Sequence, residues 1–219
     1  MGRIRAVLSG AVEWGYIREV PKVRKMRETR KENTDFLTFD EASRLLSACA
    51  PGDIGSPYVW LALRAGLRVG EIRGLVWGDW DGRRLNVSRQ VTKEGRVTGT
   101  KSGKGRSVPV PDDLKEYLDG SRNGAPDSAP IAYRGSATEG ASALARLLKA
   151  AGISREGSSI GMHDLRHTYA SHLAMKGVSL QVIQRLLGHA DISMTQRYAH
   201  LLQGAVDEAV QVLSPGRHQ

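Results

Sequence analysis

The chain has a single cysteine, Cys49, which excludes an internal disulfide framework. Aromatic residues make up 5% of it and only two are Phe, so an aromatic-rich sheet for stacking RNA bases is not available. No run of about 18 apolar residues exists, which excludes a membrane-spanning helix. The opening residues, Met-Gly-Arg-Ile-Arg-Ala-Val-Leu-Ser-Gly, lack the apolar stretch of a secretory signal. Acidic residues are also in deficit, 23 against 32 Lys and Arg. These absences point to a cytoplasmic protein, associated with the nucleoid, with no membrane contact.

What is present is a core and a strong positive charge. An apolar fraction of 40% over 219 residues supports one large domain, or a domain with an appendage. The net charge of +9 favours a polyanionic partner, nucleic acid before an anionic membrane. The charge is uneven: residues 1–31 hold nine Lys and Arg against three Glu. A solvated linker would read this way; so would a strand that tracks DNA phosphates, with Lys22, Arg24 and Lys25 as candidate contacts.

Residues 6–19 are spaced as one amphipathic helix, with Ala6, Val7, Ala11, Val12 and Tyr16 on one face and Pro21 ending it. Residues 21–36 read as a basic extended linker. Thr38-Phe39-Asp40-Glu41 is a capping box ahead of the stripe Ala42, Leu45, Leu46, Cys49. Ser56-Pro57 opens a helix that stops near Gly66, and Arg68 stands at the start of the next, with Ile72, Leu75 and Val76 inward. After Asp79 the period changes to two. Leu85 to Val91, and Val97 to Val110 with a break at Ser102–Gly105, predict a small three-stranded antiparallel sheet. Helices follow over 112–118, 136–148, 164–176, 179–188 and from Asp191 through Tyr198, then a last stripe at Val206, Ala209, Val210 and Leu213. The fold class is α+β, mainly helical.

The segment from His163 to His200 concentrates the chemistry. Cleaving a phosphodiester shifts charge onto the equatorial oxygens, and a guanidinium matches two of them with a planar fork. Arg68 and Arg166 suit this grip, and a histidine adds a donor. Tyr198 suits the nucleophile, and a phosphotyrosine ester keeps the bond energy for a second transfer. A lysine on the Ser102–Gly105 turn suits the acid for the leaving oxygen. Each residue also has a plainer reading: a surface arginine, a packing tyrosine, or a metal pair at His163 and His167 that lacks a third ligand. His172 and His200 read as structural or exposed.

Order and spacing add what the residues lack singly. Gly-Leu-Arg68-Val-Gly-Glu71, Thr-Lys101-Ser-Gly-Lys104-Gly-Arg106-Ser-Val-Pro, His163-Asp-Leu-Arg166-His, Leu-Gly-His189 and Tyr198 follow one another, with gaps of three from His163 to Arg166, 23 to His189 and nine to Tyr198. The chain resembles the catalytic domain of the tyrosine recombinase (phage integrase) family over residues 36–213. The resemblance implies that Arg68, His163, Arg166 and His189 bind the scissile phosphate, Lys101 is the general acid and Glu71 supports the arginines. It also implies that Tyr198 attacks, leaving a 3′-phosphotyrosyl link and a free 5′-hydroxyl, with no metal, ATP or other cofactor. Lys104 and Arg106 are competing candidates for the acid; the offset of Lys101 to Val108-Pro109 matches the family pattern and favours it, which leaves Lys104 and Arg106 as phosphate contacts. Double-stranded DNA is the implied partner, with a homo-tetramer on it joined through helix 203–213.

Residues 1–20 resemble only the last helix of the N-terminal clamp that family members carry. The chain is expected to be a piece of a longer protein or a short member, binding DNA weakly and with little sequence selection. Integration of a mobile element is the expected role. A catalytically silent DNA-binding module and type IB topoisomerase-like cleavage are the alternatives.

Overall fold

The structure, a computed structural model, describes residues 2–21, 36–92, 94–99, 105–135, 137–155 and 159–202. Lys22, Arg24, Lys25, Lys101, Lys104 and the expected helix 203–213 lie outside these residues. The chain divides into two compact units, Met1–Thr34 and Asp35–Gln219.

In the first unit, α1 spans Gly2–Glu13, earlier at both ends than the stripe over 6–19 implied. Gly15 takes a φ of +74°, so the chain leaves the helix well before Pro21. Val7 and Tyr16, expected on one apolar face, are exposed.

The second unit opens on the capping box. The Glu41 amide donates to Thr38 Oγ1 at 3.1 Å and the Thr38 amide donates to Glu41 Oε2 at 2.8 Å. Two of the orphan amides of α2 (Phe39–Ser47) are thereby satisfied. Ala42, Leu45 and Leu46 are buried along it. Cys49 falls just beyond the helix and is half-buried, and that burial pushes its thiol up to about 11. α3 (Ser56–Ala65) carries Pro57 in its first turn and ends on Gly66 in the left-handed conformation, φ 62°. A Cβ there would lie 2.4 Å from Tyr169 Cδ1, so both the backbone and the packing demand glycine. The short α4 (Val69–Gly74) follows two residues later and buries Ile72.

The sheet differs from expectation. β1 (Arg84–Val87) and β2 (Arg89–Val91) are one run broken at Ser88. β1 pairs antiparallel with β4 (Arg106–Pro109), Leu85 opposite Val108 and Val87 opposite Arg106. β2 pairs with β3 (Val97–Gly99), Gln90 opposite Thr98. Each half of the run takes a different neighbour, so among the described residues there are two two-stranded sheets instead of one with three strands.

Helices complete the unit: α5 (Asp112–Arg122), α6 (Ala137–Ala150), α7 (Met162–Met175) and α8 (Leu180–Leu187). α5 runs past Leu118 and stops at Asn123, whose φ of 39° a short polar side chain tolerates. The segment carrying Tyr198 consists of two 3₁₀ turns, Ile192–Met194 and Gln196–Leu202, where a helix was expected. Asp191 caps the first, accepting from the Ser193 amide at 2.9 Å. Among the described residues no helix is long and apolar enough to cross a membrane.

Two apolar clusters hold these elements. The larger joins α2, α3, α4, β1 and α6, with Leu45, Leu61, Ile72, Leu85 and Leu165 fully buried. The smaller joins α7, α8 and the last 3₁₀ turn through Ala170, Ala174, Ile183, Leu187 and Tyr198. Each such leucine or isoleucine contributes roughly 1.5–3 kcal/mol by leaving water. α7 belongs to both clusters, so the residues on it are held between α3 on one side and the tyrosine segment on the other.

Candidate active site

The site grows from one buried carboxylate. Glu71 lies in the first turn of α4 and is 2% exposed. Its Oε2 accepts from the Arg68 amide at 2.8 Å, and its Oε1 accepts from Arg68 Nη1 at 3.0 Å. A carboxylate in this first turn also meets the positive end of the helix. From β4, Arg106 donates Nη1 to Oε1 at 2.7 Å and Nη2 to Oε2 at 2.9 Å. Arg166 on α7 brings Nη1 within 3.7 Å of Oε2. Burial alone would push this carboxyl up. The Arg106 hydrogen bonds and charge, the Arg68 amide and the Arg166 charge outweigh it and hold Glu71 at about 2.

Arg166 is itself buried and fixed by backbone. Nη1 donates to Gly66 O at 2.5 Å and Nη2 to Leu187 O at 2.7 Å. These carbonyls belong to the ends of α3 and α8, whose left-handed glycines leave them without helical partners. Arg106 adds a third tie, donating Nε to Leu186 O at 3.1 Å. Gly188, φ 65°, makes room for it, because a Cβ there would meet Arg106 Cδ at 2.9 Å. The Arg68 side chain keeps 29% of its surface in solvent, the most open of the three.

His163 stands exposed in the first turn of α7, its ring edge-on to His167 with centroids 4.4 Å apart. Partial burial, then Arg166, pushes its pKa below the ordinary 6.5, with Asp164 pulling the other way. His189 follows α8, and its Nδ1 lies 2.9 Å from Oγ1 of the fully buried Thr195. Burial, then Arg166, Arg68 and Arg106, holds the His189 imidazole at about 4. Thr195 also accepts the Tyr198 amide on its carbonyl at 3.0 Å, so one residue ties the histidine to the tyrosine segment. Tyr198 is 4% exposed and its phenol lies 2.5 Å from His167 Nδ1. Burial pushes the phenol above its ordinary 10, while Arg197 and Arg166 pull it down.

The structure thus brings together Arg68, Glu71, Arg166, His189 and Tyr198 from four separate segments, with His163 on the α7 turn beside them. Arg106, expected to face DNA phosphates, instead turns inward on Glu71. Its partner is 35 residues away in sequence, and the phosphate-contact role came with the resemblance, which does not show that pairing. His167, which the sequence offers only as half of a metal pair with His163, and Thr195, which it does not mark, both stand in the site. Their places next to Arg166 and three before Tyr198 were the available signals. His172 is structural: its Nε2 meets Leu37 O at 2.8 Å and its ring stacks on Phe39. Among the described residues no group of three or more His, Cys, Asp or Glu could hold a metal ion.

This architecture has relatives. The family model described as the phage integrase family matches residues 35–204. The chain belongs to the phage integrase family. It is 33% identical to the integrase of Escherichia phage 186 over 201 residues, 91% of this chain and 54% of that protein. It is 30% identical to the tyrosine recombinase XerA of Pyrococcus furiosus over 181 residues, 80% of this chain and 60% of that protein. The solved catalytic domain of bacteriophage HP1 integrase superposes with a TM-score of 0.60 at 27% identity, covering 83% of this chain and 98% of that one. The chain thus spans only 54% and 60% of the length of these two curated relatives, and the unit it shares with HP1 integrase is the phage protein's catalytic domain.

Proposed function

We propose that the unit Asp35–Gln219 cuts and rejoins double-stranded DNA as a tyrosine recombinase. The observation that carries this reading is the convergence of Arg68 and Arg166, 98 residues apart, on one buried carboxylate beside a tyrosine. Three arginines around a single carboxylate leave an excess of positive charge, which a phosphodiester would neutralise. Arg68 and Arg166 would clamp its non-bridging oxygens. His163 and His189 would add donors, His189 as a neutral ring. Tyr198 would attack phosphorus, forming a 3′-phosphotyrosyl bond as the P–O5′ bond breaks. Lys101 would protonate the departing 5′-oxygen. The 5′-hydroxyl of a partner duplex then reverses the step, so neither metal nor ATP enters.

Glu71 and Arg106 support the arginines from behind. Lys22, Arg24, Lys25 and Lys104 are proposed phosphate contacts, with residues 1–20 as the last helix of a clamp and 21–36 as its linker. Assembly of four copies on DNA through the helix the sequence predicts over 203–213, in the nucleoid, belongs to the same reading. A mobile element is the favoured client, since phage integrases stand among the relatives.

The test uses a randomised pool of nicked duplexes whose cleavage releases a short fragment and traps the enzyme. A covalent adduct in the presence of EDTA, lost in Tyr198→Phe, is the expected result. An adduct that persists in the Phe variant, or that requires magnesium, contradicts the assignment.

A further inference from the structure

Outside the phosphate grip, the closest contact to the phenol is an imidazole that the resemblance gave no role. His167 Nδ1 lies 2.5 Å from Tyr198 Oη, and on the far side of the same ring Arg197 Nη1 lies 3.3 Å from Nε2. A guanidinium carries donors only, so the nitrogen facing it must be the acceptor. On a neutral ring the single proton is then on Nδ1, pointing at the phenolic oxygen. The opposite tautomer would set Nε2–H against an Arg197 N–H, donor to donor.

We infer that His167 is a positioning residue for the nucleophile: it donates Nδ1–H to Tyr198 Oη, and Arg197 fixes the tautomer that makes it a donor. This rests on the reading of Tyr198 as the attacking group. The ring stays neutral because of its surroundings. His163 and Arg166 face it from α7, Arg197 from the tyrosine segment and His189 from the end of α8. With burial as the largest cause, they hold His167 at about 4. A donor to the phenolic oxygen favours phenolate over phenol. It therefore works with Arg197 and Arg166 against the burial that raises Tyr198.

The proton ledger is simple. The Tyr198 hydroxyl proton passes to water and the phenolate keeps the Nδ1–H bond. The phenolate oxygen then bonds to phosphorus while the P–O5′ bond breaks, and the leaving oxygen is protonated by the proposed acid Lys101. His167 retains its own proton throughout. It is not a base, which separates this role from that of a histidine that removes the phenol proton.

The experiment reads the tautomer first. In the full chain, ¹⁵N shifts of the His167 ring are expected to report Nδ1–H; an Nε2–H tautomer overturns the inference without any substitution. The Tyr198 phenol is then titrated by ¹³Cζ resonance in wild type, in His167→Asn, which keeps an N–H near the Nδ1 position, and in His167→Leu, which has none. The Leu phenol is expected to titrate at higher pH than wild type, with Asn between them. Adduct formation on the nicked pool is expected to fall about tenfold in Leu at neutral pH, the scale of one hydrogen bond to a charged group, and to recover as pH rises. A phenol titration unmoved in Leu, or a rate loss equal at every pH, overturns the inference. A wild-type chain that forms no adduct counts against Tyr198 as nucleophile and is distinguished by the shifts, which need no DNA.

Discussion

Arg106 and Glu71 meet as a fork on a fork, with Nη1 to Oε1 at 2.7 Å and Nη2 to Oε2 at 2.9 Å, both side chains largely buried. The same carboxylate faces Arg68 and Arg166. A surface arginine on a DNA-contacting hairpin would be dispensable to folding; this one is largely buried, with its fork spent on Glu71. Arg106→Ala is expected to destabilise the unit by about 3 kcal/mol, as removal of one partner of a buried ion pair does. Arg106→Lys should recover little, because an ammonium cannot reproduce the two parallel bonds. Urea denaturation measures both. A variant of unchanged stability with weakened DNA binding would restore the phosphate-contact reading.

Glu71→Gln should lose stability in a pH-dependent way. The native carboxyl titrates at about 2, below its ordinary 4.5. Its contribution is present above the ordinary value and disappears as pH falls through the native one. The gap between wild type and Glu71→Gln is thus expected to be full at pH 7, to shrink below about pH 4.5 and to close near pH 2. A gap constant with pH would contradict a charge-based role.

His167 and His189 should be neutral throughout the physiological range. Both are held at about 4 against an ordinary 6.5, burial being the main cause. The unfolded chain binds these protons first, so stability from this source is full above 6.5 and declines as pH falls toward 4. Histidine ring resonances followed by NMR are expected to show two that do not titrate above pH 5. Titration of either near 6.5 would contradict the site as described.

Arg68 and Arg166 should separate when each is replaced by alanine. Both are expected to cost about 2.7–4 kcal/mol of cleavage barrier, as removal of one preorganised anion donor does. Arg166 also bonds the carbonyls of Gly66 and Leu187, so its loss should lower the melting temperature as well. Arg68, more open to solvent, should leave the fold nearly intact. Equal thermal effects, or near-normal cleavage by either, would contradict the division.

Local signals were legible from sequence where both partners sit within a few residues. Thr38 with Glu41, and Gly66 closing α3, are short-range chemistry that the chain writes out in order. The placing of His163 and Arg166 on one helix was legible for the same reason: they stand three residues apart on α7. What was hidden depended on distance or on the absence of a partner. Arg106 reads as a DNA contact until Glu71 is brought to it by β4. His167 is an ordinary neighbour of Arg166 until the tyrosine segment folds back 31 residues later. The single sheet split because Ser88 divides a run that alternates without interruption, and alternation does not say which neighbour each half takes. α1 shifted because positive φ at Gly15 outweighs a stripe that reaches Tyr16.

Cleavage chemistry has a polarity that no packing role could imitate. The trapped adduct is digested with trypsin, and the DNA-linked peptide and both DNA ends are identified. The expected result is a phosphotyrosyl bond at Tyr198 to the 3′ end, with the released 5′ end accepting label from polynucleotide kinase without prior dephosphorylation. A 5′-linked peptide, a different attached residue, or a released end already bearing phosphate would contradict Tyr198 as the nucleophile of this site.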